Sequence, residues 1–434
     1  MKISKLHIDN HKHLENLDFD FTYPEDFHIV EKRGKPLDKI CFIGQSATGK
    51  TGLLELIYEQ TINLFNIEIF NNQTISSHRY ENKIFNGEIQ LLQNANLFTQ
   101  KNDEIVCNNI KYVSGGDQSG SINRLIPYQD RKNIFYFKAN LISDKNIEIF
   151  NTNPIELIES NSQLLKNIDF EFNSDYRIKM LFNDNVNPEI LIYVLTDILV
   201  YRKNFTQKMS EMIHKGLLAN PKKLSSEFEK WQKDNPNKLE DFANIFNPIL
   251  EKLHLEVDIV DTQFSIPIRN KRTDEIIAIQ DTSTGTKGLL LSILPLFKLD
   301  TKDSIILMDE PERSLYPDLQ MELIDYYRKL APESQLIVAT HSPFIAASFE
   351  PEERFILSFD EKGKVVVNRG ISPIGDDPND MLYNDFGINY INKYGQEKQA
   401  EYIDLKQKIY FEKDETVKKE YAEKLEKIGD TYNL

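Results

Sequence analysis

Three short stretches of this chain hold residues that could act together on a phosphate chain: "GQSATGKT" at 44–51, "IILMDEPE" at 305–312 and "LIVATHSP" at 336–343. The first has the spacing G-x-x-x-x-G-K-[ST]. Gly44 and Gly49 let the backbone turn at φ values that side chains resist. The residues between them, Gln45, Ser46, Ala47 and Thr48, can aim their N–H groups inward at the start of the following helix. Lys50 reaches the terminal phosphates, and Thr51 offers a hydroxyl to Mg²⁺. Chance alone gives this spacing in roughly one chain of this length in fifty to a hundred, so its surroundings must decide.

The second stretch is an apolar run ending in two acids. In a parallel sheet, ligands bind beyond the carboxyl ends of the strands. Asp309 is therefore placed to hold Mg²⁺ through water, and Glu310 to take the proton of an attacking water. Alone, such a pair could simply cap a helix; the phosphate loop upstream favours chemistry. His341 follows the third run, where it could hydrogen-bond the terminal phosphate or the attacking water. The remaining histidines show no metal-ligand spacing, and "HKH" at 11–13 is read as alternating in a strand or turn.

These residues need a sheet to carry them. "DKICFIG" at 38–44, "NIFYFKA" at 133–139, "DSIILMDE" at 303–310 and "QLIVATHS" at 335–342 are nearly continuous apolar runs. Strands buried on both faces look like this. "TGLLELIYEQTINLF" after the phosphate loop has helical spacing. The N-terminal "MKISKLHIDNHKHLENLDFDF" alternates as two strands around a polar turn, and "EIQLLQ" and "EIVCNNIKYV" suggest further strands. "GGDQSGS" at 115–121 suggests an exposed turn. From about 150 to 255 the pattern is helical, with no persisting heptads. "LEVDIV" and "TDEIIAIQD" return to strand character. After "ISPIGDDPNDML", read as a loop, the chain ends in one charged helix.

The formal net charge of -16 argues against nucleic-acid binding driven by total charge. "RNKR" at 269–272 and "DRKN" at 130–133 are small basic clusters, read as solvated loops. Two cysteines, Cys41 and Cys107, exclude a disulfide framework or a cysteine-based zinc cluster. No apolar run reaches ~18 residues, and the first residues lack a signal core. A cytoplasmic protein without a membrane partner is the expectation.

A further stretch, "TSTGTKG" at 282–288, looks like a second phosphate loop. The order phosphate loop, "TSTGTKG", "IILMDEPE", "RSLYPDLQ" and "IVATHS" resembles the ABC-type ATPase head. It is most similar to the soluble branch with RecF-type and SMC-like proteins. The family signature L-S-G-G-[EQ] is matched by Thr282, Ser283, Thr284 and Gly285, followed by Thr286 and Lys287, so the leucine and first glycine are replaced. The resemblance implies ATP and Mg²⁺ as ligands. It implies that Ser283, Gly285 and Lys287 meet the γ-phosphate held by a partner copy, with Ser314 of "RSLYPDLQ" running between two shared sites. The strand "IFYFKANL" has no family glutamine beside it, and "IDNHKHL" replaces the "NFR" type of segment, with Lys12 as a nucleotide contact.

The implied fold is α/β: an ABC-type ATPase head with a mixed central sheet, an inserted helical lobe and a helical C-terminal tail. The expected boundaries are 1–145 and 256–370 for the two parts of the head. The lobe covers 146–255, and the tail, for oligomer or partner contacts, 371–434. The "STGTK" variant, the compact insert and the tail "ISPIGDDPNDMLYNDFG" are similar to ATPases of bacterial antiphage defence, the ATPase subunit of Septu and retron-associated ATPases. That resemblance implies a homo-oligomer, head-to-head or larger, controlling a separate nuclease of HNH type. The alternative is a RecF-like repair ATPase that binds DNA directly. A transporter ATPase would need a membrane partner.

Overall fold

The computed structural model describes residues 1–70, 73–76, 86–102, 104–113, 123–124, 132–161, 179–388 and 393–432. In chain order its strands begin with β1 (Lys2–His11), β2 (Leu14–Asp20), β3 (Lys39–Gly44), β4 (Ile67–Phe70), β5 (Gln73–Ser76), β6 (Asn86–Gln93), β7 (Asn96–Lys101), β8 (Glu104–Cys107), β9 (Ile110–Val113) and β10 (Asn123–Arg124). They continue with β11 (Ile134–Phe137), β12 (Lys179–Phe182), β13 (Leu255–Val257), β14 (Ile268–Asn270), β15 (Ile276–Ile277), β16 (Ile305–Asp309), β17 (Gln335–Ala339), β18 (Arg354–Phe359) and β19 (Val365–Arg369). The helices used below are α1 (Lys50–Asn66), α2 (Asp144–Asn151), α3 (Pro154–Ser160), α4 (Pro188–His214), α5 (Pro221–Asp234), α6 (Lys238–Leu250), α7 (Thr284–Lys298), α8 (Pro317–Leu330), α9 (Pro343–Ala346), α10 (Pro378–Asn384), α11 (Lys393–Phe411) and α12 (Glu415–Tyr432).

The four apolar runs do form one sheet, in the order β12-β11-β16-β17-β3-β18-β19. Every neighbouring pair is parallel except the last, β18 with β19. Because successive strand residues point to opposite faces, each strand serves two cores. Cys41 and Ile43 of β3 face a core built with α4, α6, α7 and α8. Ile40 and Phe42 face the other, built with α1 and the N-terminal strands. Hence the runs are apolar throughout rather than alternating.

The N-terminal hairpin β1–β2 belongs to an antiparallel sheet ordered β2-β1-β6-β7-β8-β9. Ile3 and Leu6 are three apart, so a regular strand would put them on opposite faces. A bulge at Ser4 against β6 brings both into the core. The strands expected at "EIQLLQ" and "EIVCNNIKYV" are β6, β8 and β9; the turn expected at 115–121 lies outside the described residues.

Of the helices between 144 and 250, α2, α3, α4 and α6 pack into the same core as the central sheet. α5 has no buried residue and leans on α4 through Tyr201, Phe205, Phe228 and Trp231. Residues 371–388, grouped with the tail by sequence, reach the head core through Met381 and Phe386. The expected loop there turns helical at Pro378, where Asp377 accepts the Asn379 N–H at 2.7 Å. The one charged helix expected at the end is two. Asp414 caps the second, accepting from the N–H groups of Thr416 and Val417 at 2.8 and 3.3 Å. The architecture is thus α/β with a mixed central sheet and a helical C-terminal tail. Among the described residues, no helix is long and apolar enough to cross a membrane.

Candidate functional site

β3, β16 and β17 lie side by side and all end at the same edge, so the three chemical stretches meet there. A cavity of about 590 Å³ is lined by Ala47, Gly49, Lys50, Thr51, Asp309, Glu310 and His341, with His13, Ala339, Phe359 and Gly363. The loop between β3 and α1 turns through positive φ at Gly44 (136°), Ala47 (67°) and Gly49 (93°). Gln45, Ser46 and Ala47 are exposed, while Thr48 is buried with its hydroxyl donating to the Gln45 carbonyl at 2.8 Å. The loop needs glycine at Gly49 for space as well: a Cβ there would lie 2.9 Å from Leu14 and 3.0 Å from His13 Nε2.

Lys50 is buried, and its ammonium donates to the Gly44 and Gln45 carbonyls, both at 2.9 Å. Burial pulls its pKa down to about 8, against the opposing pull of Glu310 and Asp309. The Thr51 hydroxyl donates to Asp309 Oδ2 at 2.9 Å. One hydroxyl and one carboxylate oxygen at the mouth of this loop suit a hard cation held mainly by phosphates. Among the described residues no three His, Cys, Asp or Glu form a metal cluster of their own.

Burial drives the Asp309 carboxyl up to about 6, and neighbouring Glu310 adds to this, while the Thr51 hydrogen bond opposes it. The folded chain therefore holds a proton between pH ~4 and ~6 that the unfolded chain has released. Stability from this group is complete below its unfolded pKa of 3.8 and lost as pH rises through about 6. The penalty at neutral pH is on the order of 1–3 kcal/mol. Asp309→Asn is accordingly expected to stabilise the metal-free protein at pH 7.5 and to be neutral at pH 4. Denaturant midpoints in chelator at both pH values check this; an Asn variant less stable at pH 7.5 would refute it.

Glu310 sits at φ 48°, its carboxylate Oε1 3.9 Å from His341 Nε2. Burial and the Lys50 charge lower the His341 pKa and so favour the neutral imidazole, against the opposing pull of Glu310. Ser283 caps α7, accepting the Thr286 N–H at 3.2 Å, and remains exposed. Gly285 is instead buried: a Cβ there would lie 2.6 Å from the Ser314 carbonyl. Its role within the chain is to let the turn bearing Ser314 (φ 64°) pack on α7. Lys287 is half-buried on α7. None of Ser283, Gly285, Lys287 or Ser314 lines the 590 Å³ cavity. A neighbouring cavity of about 300 Å³ takes Thr284, Gly288 and Ser314 in its lining and shares only Asp309 and Glu310 with the first.

Sequence reasoning missed three contributors. Glu312 is buried, and its Oε1 accepts from Thr340 Oγ1 at 2.6 Å and the His341 N–H at 3.1 Å. Its pKa is raised by burial. The second acid of "EPE" was its only signal. His13, weighed only for metal, and Phe359, which has no sequence signal, line the large cavity. Lys12 donates to Glu55 at 3.2 Å, and Lys138, at the end of the glutamine-free strand β11, donates to Glu55 at 3.0 Å. The basic clusters are largely occupied: Arg269 pairs with Asp258 and Asp274, Lys271 with Glu251 and Lys132 with Asp303.

Among known structures, the chain aligns with a Smc head bound to the C-winged helix domain of ScpA, at 14% identity and TM-score 0.41, covering 85% of this chain and 97% of that one. A Smc head with an extended coiled coil, bound to the C-terminal domain of ScpA derived from Pyrococcus furiosus, aligns at 14% identity and TM-score 0.39, covering 85% and 96%. The SMC head domain from Thermotoga maritima aligns at 12% identity and TM-score 0.38, covering 86% and 100%. No curated protein matches the chain. Residues 1–346 match the family model described as AAA ATPase domain, a span that takes in the phosphate loop, both acids and His341. With 346 of 434 residues inside that match, the chain belongs to the AAA ATPase domain family.

Proposed function

We propose that the chain is an SMC/RecF-like ABC-type ATPase that binds and hydrolyses ATP at sites shared between copies, and that its nucleotide state controls a separate nuclease in antiphage defence. One observation carries the shared-site reading. Ser283, Lys287 and Ser314 lie outside the cavity that gathers the phosphate loop, the acids and His341. A second copy could bring its exposed Ser283 and the start of its α7 to the open side of that cavity.

In each site Lys50 and the loop N–H groups hold the β- and γ-phosphates. Thr51 and Asp309 would hold Mg²⁺, which supplies charge neutralisation between those phosphates. Glu310 takes a proton from water as the water oxygen bonds to the γ-phosphorus. The bond from phosphorus to the bridging oxygen breaks, and ADP leaves with the electron pair. Neutral His341 donates to a γ-phosphate oxygen. A cytoplasmic homo-oligomer is the assembly this requires. The defence role and the HNH-type nuclease partner rest on the likeness of "STGTK", the insert and the tail to Septu and retron ATPases.

The test is solution mass of the Glu310→Gln protein with and without ATP–Mg²⁺, alongside Glu310→Gln/Ser283→Arg. Mass is expected to rise with ATP in the first and not in the second. Equal masses throughout would remove the shared sites from the proposal. A permease gene beside this one, rather than a nuclease gene, would remove the nuclease.

A further inference from the structure

The turn that follows the acid pair and the loop that carries His341 are joined by a closed ring of hydrogen bonds. The Leu315 N–H donates to the Glu312 carbonyl at 2.9 Å, closing the turn around Ser314. The Leu315 carbonyl accepts from Gln320 Nε2 at 2.7 Å. Gln320 Oε1 accepts from the Ser342 hydroxyl at 2.6 Å. The Ser342 N–H donates to Thr340 Oγ1 at 2.9 Å, and Thr340 Oγ1 donates to Glu312 Oε1 at 2.6 Å. The His341 N–H donates to that same oxygen at 3.1 Å.

Most of the ring is dry. Thr340, Ser342 and Glu312 are buried, and Glu312 Oε2 has no hydrogen-bond partner among the described residues. In such surroundings hydrogen bonds are strong and their loss is costly, so the ring moves as a unit or breaks. Its two ends face different tasks. Ser314 lies beside Gly285 on the face assigned to the partner's nucleotide, whereas His341 lines the chain's own cavity.

We infer that Gln320 is a positioning residue that couples the two shared sites, transmitting displacement of the Ser314 turn to the backbone of His341. The inference rests on the shared-site reading above. A nucleotide held by the partner pushes on the turn; Gln320 and Ser342 carry that push to the loop of His341. Occupying one site thereby sets the geometry of the other. Coupling of this kind between sites is typically 5–150-fold.

Steady-state ATP hydrolysis against ATP concentration is compared for the parent, Gln320→Leu and Gln320→Glu. Gln320 is half-exposed, so both variants should fold; Gln320→Glu keeps the acceptor for Ser342 and lacks the donor to Leu315. The parent is expected to be sigmoidal. Both variants are expected to become hyperbolic with kcat lowered at least about fivefold. Their affinity for ATP should stay with the parent's, while the melting temperature should fall by a few degrees for the lost hydrogen bonds without unfolding the chain at the assay temperature. Each change is also made in the Glu310→Gln background, where mass is measured with ATP–Mg²⁺. If that background dimerises with ATP but the parent is hyperbolic, or the variants stay sigmoidal with kcat unchanged, the relay is overturned and the shared sites stand. If the Glu310→Gln protein itself shows no ATP-dependent dimer, the shared sites fall and the relay falls with them.

Discussion

Glu310→Gln is expected to slow ATP hydrolysis by 10²–10⁴-fold while leaving ATP binding intact. The size follows from the role: a positioned general base contributes about that factor, roughly 3–5 kcal/mol of barrier. Glutamine keeps the shape of the side chain but cannot accept the proton of water. Lys50 loses the pull of Glu310 that helps keep it charged, but bound phosphates supply the same pull more closely. Lys50 is anchored by the Gly44 and Gln45 carbonyls, and Thr51 by Asp309. Removing an anion beside bound phosphates should, if anything, tighten binding. Single-turnover hydrolysis with ATP binding measured in parallel decides it. A variant that keeps a tenth of parental activity would hand the base role to another group, and His341→Ala would be the next comparison.

Gly44→Ala is expected to cost more than about 4 kcal/mol, a size reserved for backbone or core failures. Gly44 ends β3 and is paired with Leu357 of β18. A Cβ on it would lie 1.9 Å from the Leu357 carbonyl oxygen and 2.9 Å from its carbonyl carbon. Both are main-chain atoms of a neighbouring strand, so no rotamer change relieves the overlap. The φ of 136° adds strain of its own. With total stabilities of about 5–15 kcal/mol, the variant should be largely unfolded or insoluble. Gly216→Ala is the control: it also has positive φ, at 67°, but meets nothing within 4 Å. It should cost about 1–2 kcal/mol. Equal denaturant midpoints for the two variants would contradict the close approach seen at Gly44.

The residues legible in the sequence were those whose signal is local. Four apolar runs announced buried parallel strands because each strand feeds two cores. The phosphate loop and the acid pair announced themselves by spacing at strand ends. What stayed hidden depends on contacts distant along the chain. Glu312 has no local signal beyond being the second acid of "EPE", and only its approach to Thr340 and His341 gives it a task. Gln320 carries no local signal of its own; its contacts with Ser342 and Leu315 exist only in space. Gly285 was read as a phosphate contact because the likeness supplied that role; its burial against Ser314 is visible only in space. The break in the last helix was local in principle, at "KDET", but the charge pattern continues smoothly across it.

Arg354 begins β18 and is fully buried. Its guanidinium donates to the carbonyls of Ala346, Phe349 and Ser372 and lies 2.9 Å from the Asp385 carboxylate. Asp385 in turn accepts the N–H groups of Ile371 and Ser372 at 2.9 and 3.2 Å. A charge so enclosed cannot be left without its counter-charge, since an unpaired buried ion costs about 3–5 kcal/mol. A protease or a shortened gene that removed everything after residue 370 would thus strip the cation at the heart of the last parallel strand of its anion. Cutting after 388 would spare the pair. Among the described residues neither terminal helix adds a side chain to the two cores of the head, whereas residues 371–388 supply Met381, Phe386 and the anion that Arg354 needs.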